Sequence, residues 1–263
     1  MSSEKALRNQ SVLIESIHNK FKGETAIVLG CSPFLSDYDD SLMMELLSAH
    51  RVIAIKQSYN LFNNFVDIHA YNCCNMESYV YGEKKPMIVE ASSLAPSNNP
   101  FDLYFHIKER DKGRSLSAIC ANEGTHRELD KWVLSEERNL IKSAWNGCDI
   151  RLRPYGPGIM SELIFYMCEH LGFSRIILIG CDNESSGNKT HFYRDENNKC
   201  NKISNDPHSS APWMNFNEEK NMHLRLMNSW NDWFSNKGVS LELVSKFNNY
   251  PESIKKIKIN DIA

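Results

Sequence analysis

Two strand-length apolar runs flank one amphipathic helix near the start of this chain, and that arrangement constrains the fold more than any other feature. Residues 25–30 read TAIVLG and residues 51–56 read RVIAIK. Between them DDSLMMELLSAH reads as a helix, with Asp39 or Asp40 as its N-cap. Strand, polar turn, helix and strand within about 30 residues make a βαβ unit, whose two strands lie parallel. A third run, RIILIG at 175–180, shows no polar alternation, which suits a strand buried on both faces. Before it, IMSELIFYMCEHLG places Met160, Leu163, Ile164, Met167 and Leu171 at helical spacing and stops at Gly172. The predicted class is α/β, with a mostly parallel sheet and helices on both faces.

The remaining chain fits one domain spanning 1–263. VDIHAY (66–71), MIVE (87–90), FDLYFHI (101–107) and VSLELVS (239–245) read as further strands. NEEKNMHLRLMNSWNDWF reads as a helix capped at Asn217 and ended by Gly238. Residues 76–150 are expected to form an insertion, a lid or acceptor region, with a helix at EERNLIKSAW. Residues 183–216 are polar and carry no periodic pattern, so a mobile loop is expected there, of a length usually reserved for function.

Charge and cysteine usage narrow the function classes. Lys and Arg number 30 against 33 Asp and Glu, a net charge of −3, which leaves no general nucleic-acid footprint. No apolar run approaches the roughly 18 residues of a membrane-spanning helix. The opening MSSEKALRNQ has no apolar signal core. None of the eight cysteines forms a C-x-x-C pair, and no Cys/His group has zinc spacing. A cytoplasmic, reduced protein without a structural metal is expected.

In an open parallel sheet, ligands bind beyond the carboxyl ends of the strands. Four predicted strand ends carry small or polar residues: Gly30-Cys31-Ser32-Pro33, Lys56-Gln57-Ser58-Tyr59, Tyr71-Asn72 and Gly180-Cys181-Asp182. The first could bring backbone N–H groups to a phosphate at a helix start. Gly30 stands alone there, with neither a G-x-G-x-x-G pattern nor a P-loop lysine, so the motif by itself reads more simply as an ordinary strand-to-helix turn.

The order of these motifs nevertheless resembles a known group. Lys22-Gly23 precedes the first strand, Gly30, Pro33 and Leu35 make G-x-x-P-x-L, and Tyr71-Asn72 follows the third strand. Gly158 then leads to Gly172-Phe173, Ile176, Leu178, Gly180 and Asp182, with His191-Phe192-Tyr193 and Asp195 beyond. This pattern resembles the hydroxymethylpterin diphosphokinase-like domains, a group that includes flagellin-modifying motility accessory factors. It is also similar to the related bacterial sialyltransferases and lipopolysaccharide-core Kdo transferases, which use CMP-sugars. The resemblance covers roughly residues 20–75 and 150–250, and its most specific stretch is Gly158 to Asp182.

The resemblance implies a Rossmann-like nucleotide-sugar-binding domain. The implied activity is transfer of a sialic or other ulosonic acid, such as Kdo, from a CMP-sugar to a glycan or lipid-linked glycan in surface-glycan assembly. It implies no cofactor and no metal. Gly30, Cys31, Ser32, Lys56, Asn72, Gly158, Asp182 and Tyr193 would border the donor. Two departures stand out. The group's G-x-G-P-S-L loop is here Gly30-Cys31-Ser32-Pro33-Phe34-Leu35, and Lys56-Gln57 replaces the second-strand Cys-Asn-Gln of the sialyltransferases. A lysine at that strand end could still meet a phosphate.

Loss of CMP from an ulosonic acid passes through an oxocarbenium-like state, so the protein must orient the acceptor, take its proton and stabilise the leaving phosphate. A histidine suits the base role. The candidates are His208, His223 and His191, in that order. His208 lies in a loop before the final helix. His223 shares helical spacing with Met227, Trp230 and Phe234 and equally suits the edge of a core face, and His191 suits a phosphate or loop contact. Asp37, Asp39 and Asp40 superficially match an Asp-x-Asp metal motif, but capping accounts for acidic residues at a helix start. Lys255, Lys256 and Lys258 form a basic run, ordinarily a solvated face, which could also touch an anionic membrane. Two other readings stay open: an ATP- and Mg²⁺-dependent diphosphokinase, and a non-catalytic nucleotide-binding protein. A homo-oligomer also stays open.

Overall fold

The apolar runs become the centre of one large sheet. The structure, a computed structural model, describes residues 15–71, 79, 81–90, 104–106, 108–109, 152–153, 160–182, 184, 186, 224, 227, 228, 230–247 and 250–262. Its strands are β1 (Thr25–Leu29), β2 (Arg51–Ile55), β3 (Ile68–Tyr71), β4 (Met87–Glu90), β5 (Tyr104–His106), β6 (Lys108–Glu109), β7 (Leu152–Arg153), β8 (Arg175–Ile179), β9 (Ser240–Val244) and β10 (Lys255–Ile257). Eight of them form a sheet in the order β10-β9-β8-β1-β2-β3-β4-β5, and β6 pairs with β7 separately. Every neighbouring pair is parallel.

Alternate residues of each strand face opposite sides. Ala26, Val28, Ile53, Ile55, Ile176 and Leu178 join one core, while Ile27, Leu29, Val52, Ala54, Ile177 and Ile179 join the other. With apolar side chains needed on both faces, the period-two alternation of a one-sided sheet disappears, which explains runs such as RIILI.

The helices divide between the faces. Helix α1 (Asp40–Ala49) buries Met43, Leu46 and Leu47 on the second core, beside Tyr59 of α2 (Ser58–Phe62). Helix α3 (Phe165–Leu171), preceded by a π-helical turn at Met160–Ile164, packs on the first core. So do Trp230 and Phe234 of α4, residues 230–235. Right-handed crossovers explain this division. From β1 the chain steps one way to β2 and β3, and from β8 to β9 it steps the opposite way, so the crossing helices change sides. The reversal falls between β1 and β8.

Helix α3 departs from its predicted single apolar face. Phe165, Tyr166, Cys168 and His170 are buried together with Met160, Leu163, Ile164, Met167 and Leu171. Trp230 lies against Phe165 and Tyr166, and the turn at 17–23 bonds its last residues, Asn19 N–H to His170 O and Phe21 N–H to Leu171 O. A helix packed on several sides is apolar nearly all round. Gly172, at φ 83°, closes it with its N–H on the Cys168 and Glu169 carbonyls.

Two findings concern the sheet's margins. Strands β4 and β5, expected at 87–90 and 101–107, extend the sheet beyond β3. The basic run at 255–258 supplies an unexpected edge strand, β10. The helix expected at EERNLIKSAW and the cap at Asn217 lie outside the described residues.

The amino ends of the strands carry paired charges. Arg51 meets Glu24 at 2.7 Å and Asp67 at 3.6 Å, and Lys84 meets Asp67 at 3.0 Å. Asp67 also accepts the Val52 N–H at 2.9 Å. Glu242, 3% exposed, accepts from Arg175 at 2.8 Å and Lys255 at 2.9 Å. Burial would push the Glu242 carboxyl upward, but hydrogen bonds and charge from Arg175 and Lys255 outweigh it and hold the group below its ordinary value.

Candidate functional site

The carboxyl ends of β1 and β8 meet where the strand order reverses, the position at which open parallel sheets place ligands. Close backbone packing shapes this seam. Gly30 N–H donates to Ile179 O at 2.8 Å, and Ser32 N–H to Gly180 O at 2.8 Å. A Cβ on Gly30 would sit 2.2 Å from the Gly180 carbonyl oxygen and 2.6 Å from the Cys181 sulfur. Gly180, at φ 68°, receives the Leu35 side chain where its own Cβ would lie, 2.9 Å away. Both glycines therefore let the loop after β1 fold back on β8. Within that loop Ser32 Oγ accepts the Phe34 N–H at 3.2 Å.

Asp182 is 1% exposed and anchors the loop after β9 beside the seam. It accepts the Ser245 hydroxyl at 2.5 Å, and Ser245 Oγ accepts the Phe247 N–H at 3.1 Å. Tyr250 donates its hydroxyl to the Cys181 carbonyl. Farther out, Phe34 and Phe247 pack with ring centres 4.7 Å apart, and Lys246 lies over Phe34 while pairing with Asp37 at 2.7 Å. The loops after β1, β8 and β9 are thus joined through side chains.

These contacts set the protonation of the neighbouring groups. Burial pushes the Tyr38 hydroxyl up to about 12, and Asp182, Cys181 and Asp37 add to the rise, so Tyr38 stays a proton donor. Burial first, then Asp182 and Cys31, push the Cys181 thiol well up against a smaller opposing pull from the Gly30 backbone. Cys181 therefore remains a thiol rather than a thiolate nucleophile. Cys31 donates its S–H to the Ile55 carbonyl at 3.1 Å, which ties the loop after β1 to the end of β2.

At that end Lys56 has φ 49°. The left-handed region costs an L-residue about 1–2 kcal/mol. Among the described residues only Asn19 shares it without being glycine, and asparagine tolerates it well. The surroundings of Lys56 hold the conformation. Its N–H donates to Ala70 O at 2.9 Å, and its carbonyl lies 2.9 Å from His69 Nε2. Ser58 Oγ contacts the Leu29 and Ile55 carbonyls at 2.8 Å and the Ile55 N–H at 2.9 Å. The Lys56 side chain is half-buried, and it forms no ion pair among the described residues.

His69 is fully buried in a group of tyrosines. Its ring stacks on Tyr59 at 4.4 Å and 19°, meets Tyr79 edge-on at 4.4 Å, and has Tyr71 at 5.0 Å. Burial pulls its pKa down to about 3, against a smaller rise from the bond to Lys56. The ring is neutral at physiological pH. A carbonyl only accepts, so the proton belongs on Nε2, and Nδ1 faces the Tyr81 hydroxyl at 3.2 Å.

Of the residues expected at the donor site, Gly30, Cys31, Ser32, Lys56 and Asp182 therefore lie at one edge of one sheet. Asn72, Gly158 and Tyr193 lie outside the described residues, as do the candidate bases His191, His208 and His223. Asp39 caps α1, its Oδ1 accepting the Leu42 N–H at 3.0 Å and the Ser41 hydroxyl, and Asp37 is paired with Lys246. Among the described residues no three His, Cys, Asp or Glu side chains are grouped to hold a metal, and no helix is long and apolar enough to cross a membrane. The contributions of Tyr38, His69, Ser245 and Tyr250 went unread in the sequence. The one available signal was a histidine inside the apolar run VDIHAY, where a polar ring needs buried partners.

No family model matches the chain, and no curated protein or solved structure is found to be similar to it.

Proposed function

We propose that this protein is a Rossmann-like, metal-independent glycosyltransferase that takes a sialic or other ulosonic acid from a CMP-sugar. The observation that carries the reading is the reversal of strand order at β1 and β8, with a left-handed lysine at the nearby end of β2 that forms no ion pair among the described residues. Tight glycine packing at the seam and a cation beside it favour a phosphate-bearing ligand. The motif resemblance supplies the choice of CMP.

In this reading the acceptor hydroxyl oxygen attacks the anomeric carbon as the bond from that carbon to the phosphate oxygen breaks. CMP leaves with the bonding electron pair, and the acceptor proton passes to a histidine. His208 is the first candidate, followed by His223 and His191. Lys56 offsets charge developing on the phosphate. The acceptor is a glycan or lipid-linked glycan, met in the cytoplasm or at the inner face of a membrane. Residues 76–150 and 183–216 contribute acceptor contacts.

Thermal unfolding with CMP, UDP, GDP and ATP plus Mg²⁺ tests the donor class. A selective ligand at 100 times its Kd stabilises the native state by about 2.7 kcal/mol, roughly 5–10 °C for a chain of this size. CMP is expected to give that shift and the others not. A shift with ATP plus Mg²⁺ but none with CMP would favour the diphosphokinase chemistry instead. Where CMP binds, His208→Ala should keep donor binding and lose about 10²–10⁴-fold in transfer. Near-normal turnover would remove His208 from the base role.

A further inference from the structure

Lysine is a poor choice for a left-handed backbone position. Glycine adopts φ 49° at little cost, and asparagine tolerates it, yet residue 56 is Lys. Strained residues persist where surrounding structure over-determines them, and they gather at binding sites. Here the restraint is visible. Lys56 is bonded at its N–H by Ala70 and at its carbonyl by His69, and the adjoining Ile55 is bonded on both backbone groups by Ser58.

His69 is the unusual member of that set. A buried neutral imidazole packed among tyrosines is difficult to justify by packing alone, because an aromatic hydrocarbon would fill the same space without buried polar atoms. Its useful feature is a donor aimed at one carbonyl. The rings of Tyr59, Tyr71, Tyr79 and Tyr81 pack against it, so turning the imidazole would disturb those contacts.

We propose that His69 is a positioning residue, which holds Lys56 in its left-handed conformation so that the lysine ammonium binds the phosphate of the ligand at the carboxyl edge. The proposal rests on the nucleotide-donor reading for the identity of the ligand, but not for the presence of an anion. His69 itself touches no substrate.

The test is a calorimetric titration of the purified full chain with CMP and with cytidine, which lacks the phosphate. Lys56→Met should weaken CMP about 10- to 100-fold, the loss of one charge-assisted contact, and leave cytidine unchanged. Lys56→Gly should weaken CMP equally while raising the Tm by roughly 2–4 °C, because the strain is relieved. His69→Phe should weaken CMP to a similar extent without changing cytidine. His69→Gln, which can return an N–H donor towards the same carbonyl, should restore most of the affinity. His69→Phe combined with Lys56→Met should lose no more than Lys56→Met alone, the non-additivity expected of residues acting as one unit.

Lys56→Gly with raised Tm and unchanged CMP affinity would overturn the proposal. So would equal losses for CMP and cytidine in His69→Phe. If the wild-type chain binds no CMP, the donor reading falls, and inorganic pyrophosphate takes its place against the same variants. Weaker pyrophosphate binding in Lys56→Met and Lys56→Gly then sustains the anion site, while unchanged binding, or none in the wild type, overturns it. Should His69→Phe fail to fold, His69→Leu takes its place, and unchanged CMP affinity in either folded variant overturns the positioning role.

Discussion

The two ends of the same parallel sheet are built on opposite principles. At the amino edge, charge is answered by charge: Arg51 has Glu24 and Asp67, Lys84 has Asp67, and Glu242 has Arg175 and Lys255. At the carboxyl edge the Lys246–Asp37 pair is exposed, and the inner polar groups turn to backbone and hydroxyl partners, as Cys31 does to Ile55 O, Asp182 to Ser245 and His69 to Lys56 O. Two strand ends there leave regular geometry, at Lys56 after β2 and Gly180 after β8. Closed ion pairs at one end hold the strands together, whereas the other end combines close backbone approach with a lysine, Lys56, that forms no ion pair among the described residues. The difference teaches that polarity alone does not distinguish the two ends of this sheet; the state of pairing does.

The comparison breaks most severely at the glycines. Gly30→Ala at the carboxyl edge drives a Cβ into the Gly180 carbonyl, and is expected to cost about 3 kcal/mol, a fall in Tm of roughly 6–12 °C. Gly23→Ala on the amino side meets no atom within 4 Å, so only its φ of 81° is penalised, about 1 kcal/mol. Equal effects in thermal melts would mean that the seam is looser than its packing indicates.

A smaller effect is expected from Glu242→Gln. Removing this buried carboxylate leaves Arg175 a quarter exposed and Lys255 largely in water, so the cost should be about 2 kcal/mol, below that of a fully buried pair. The folded-state pKa of Glu242 is depressed. Its contribution is therefore present above the unfolded value, near 4.5, and is lost as pH falls through the lower folded value. Denaturation between pH 6 and 3 should show a shallower acid loss in Glu242→Gln than in the wild type. CMP affinity should not change; a change would show that the two edges are energetically coupled.

The smallest effect sharpens the boundary of the carboxyl edge. Lys246 and Asp37 are both more than half exposed, so Lys246→Met should alter stability by less than about 0.5 kcal/mol in urea unfolding. A larger loss would make the Phe34–Phe247 contact part of the structural seam rather than its outer surface.

Strands β1, β2 and β8 were legible because burial on both faces removes polar residues from consecutive positions. Helix α3 was legible in extent, through its spacing and Gly172, but not in its burial, since segments packing on its other sides come from residues 17–23 and 230–235. Strand β10 was hidden by its lysines, which an edge strand accepts because only one side of it pairs. The strand ends at Gly30, Lys56 and Asp182 could be read from polarity after an apolar run. The left-handed turn at Lys56 could not, because lysine carries no signal for it. Nor could the contacts of Asp182 and of the Cys181 carbonyl, whose partners Ser245 and Tyr250 lie more than 60 positions away.

Central β1 has consequences for how the chain is made. It pairs on one side with β2, soon after it in the sequence, and on the other with β8, Thr25 opposite Arg175, about 150 positions later. At a ribosomal pace of roughly 5–20 residues per second, β8 emerges about 8–30 s after β1. Throughout that interval the backbone edge of Ala26-Ile27-Val28-Leu29 has no native partner, although it becomes the middle of the finished sheet. The most protected strand of the native protein is thus the most exposed to mispairing during synthesis. Slower translation between residues 30 and 175 would lengthen this exposure, and a holding chaperone would have its greatest value before Arg175 is reached.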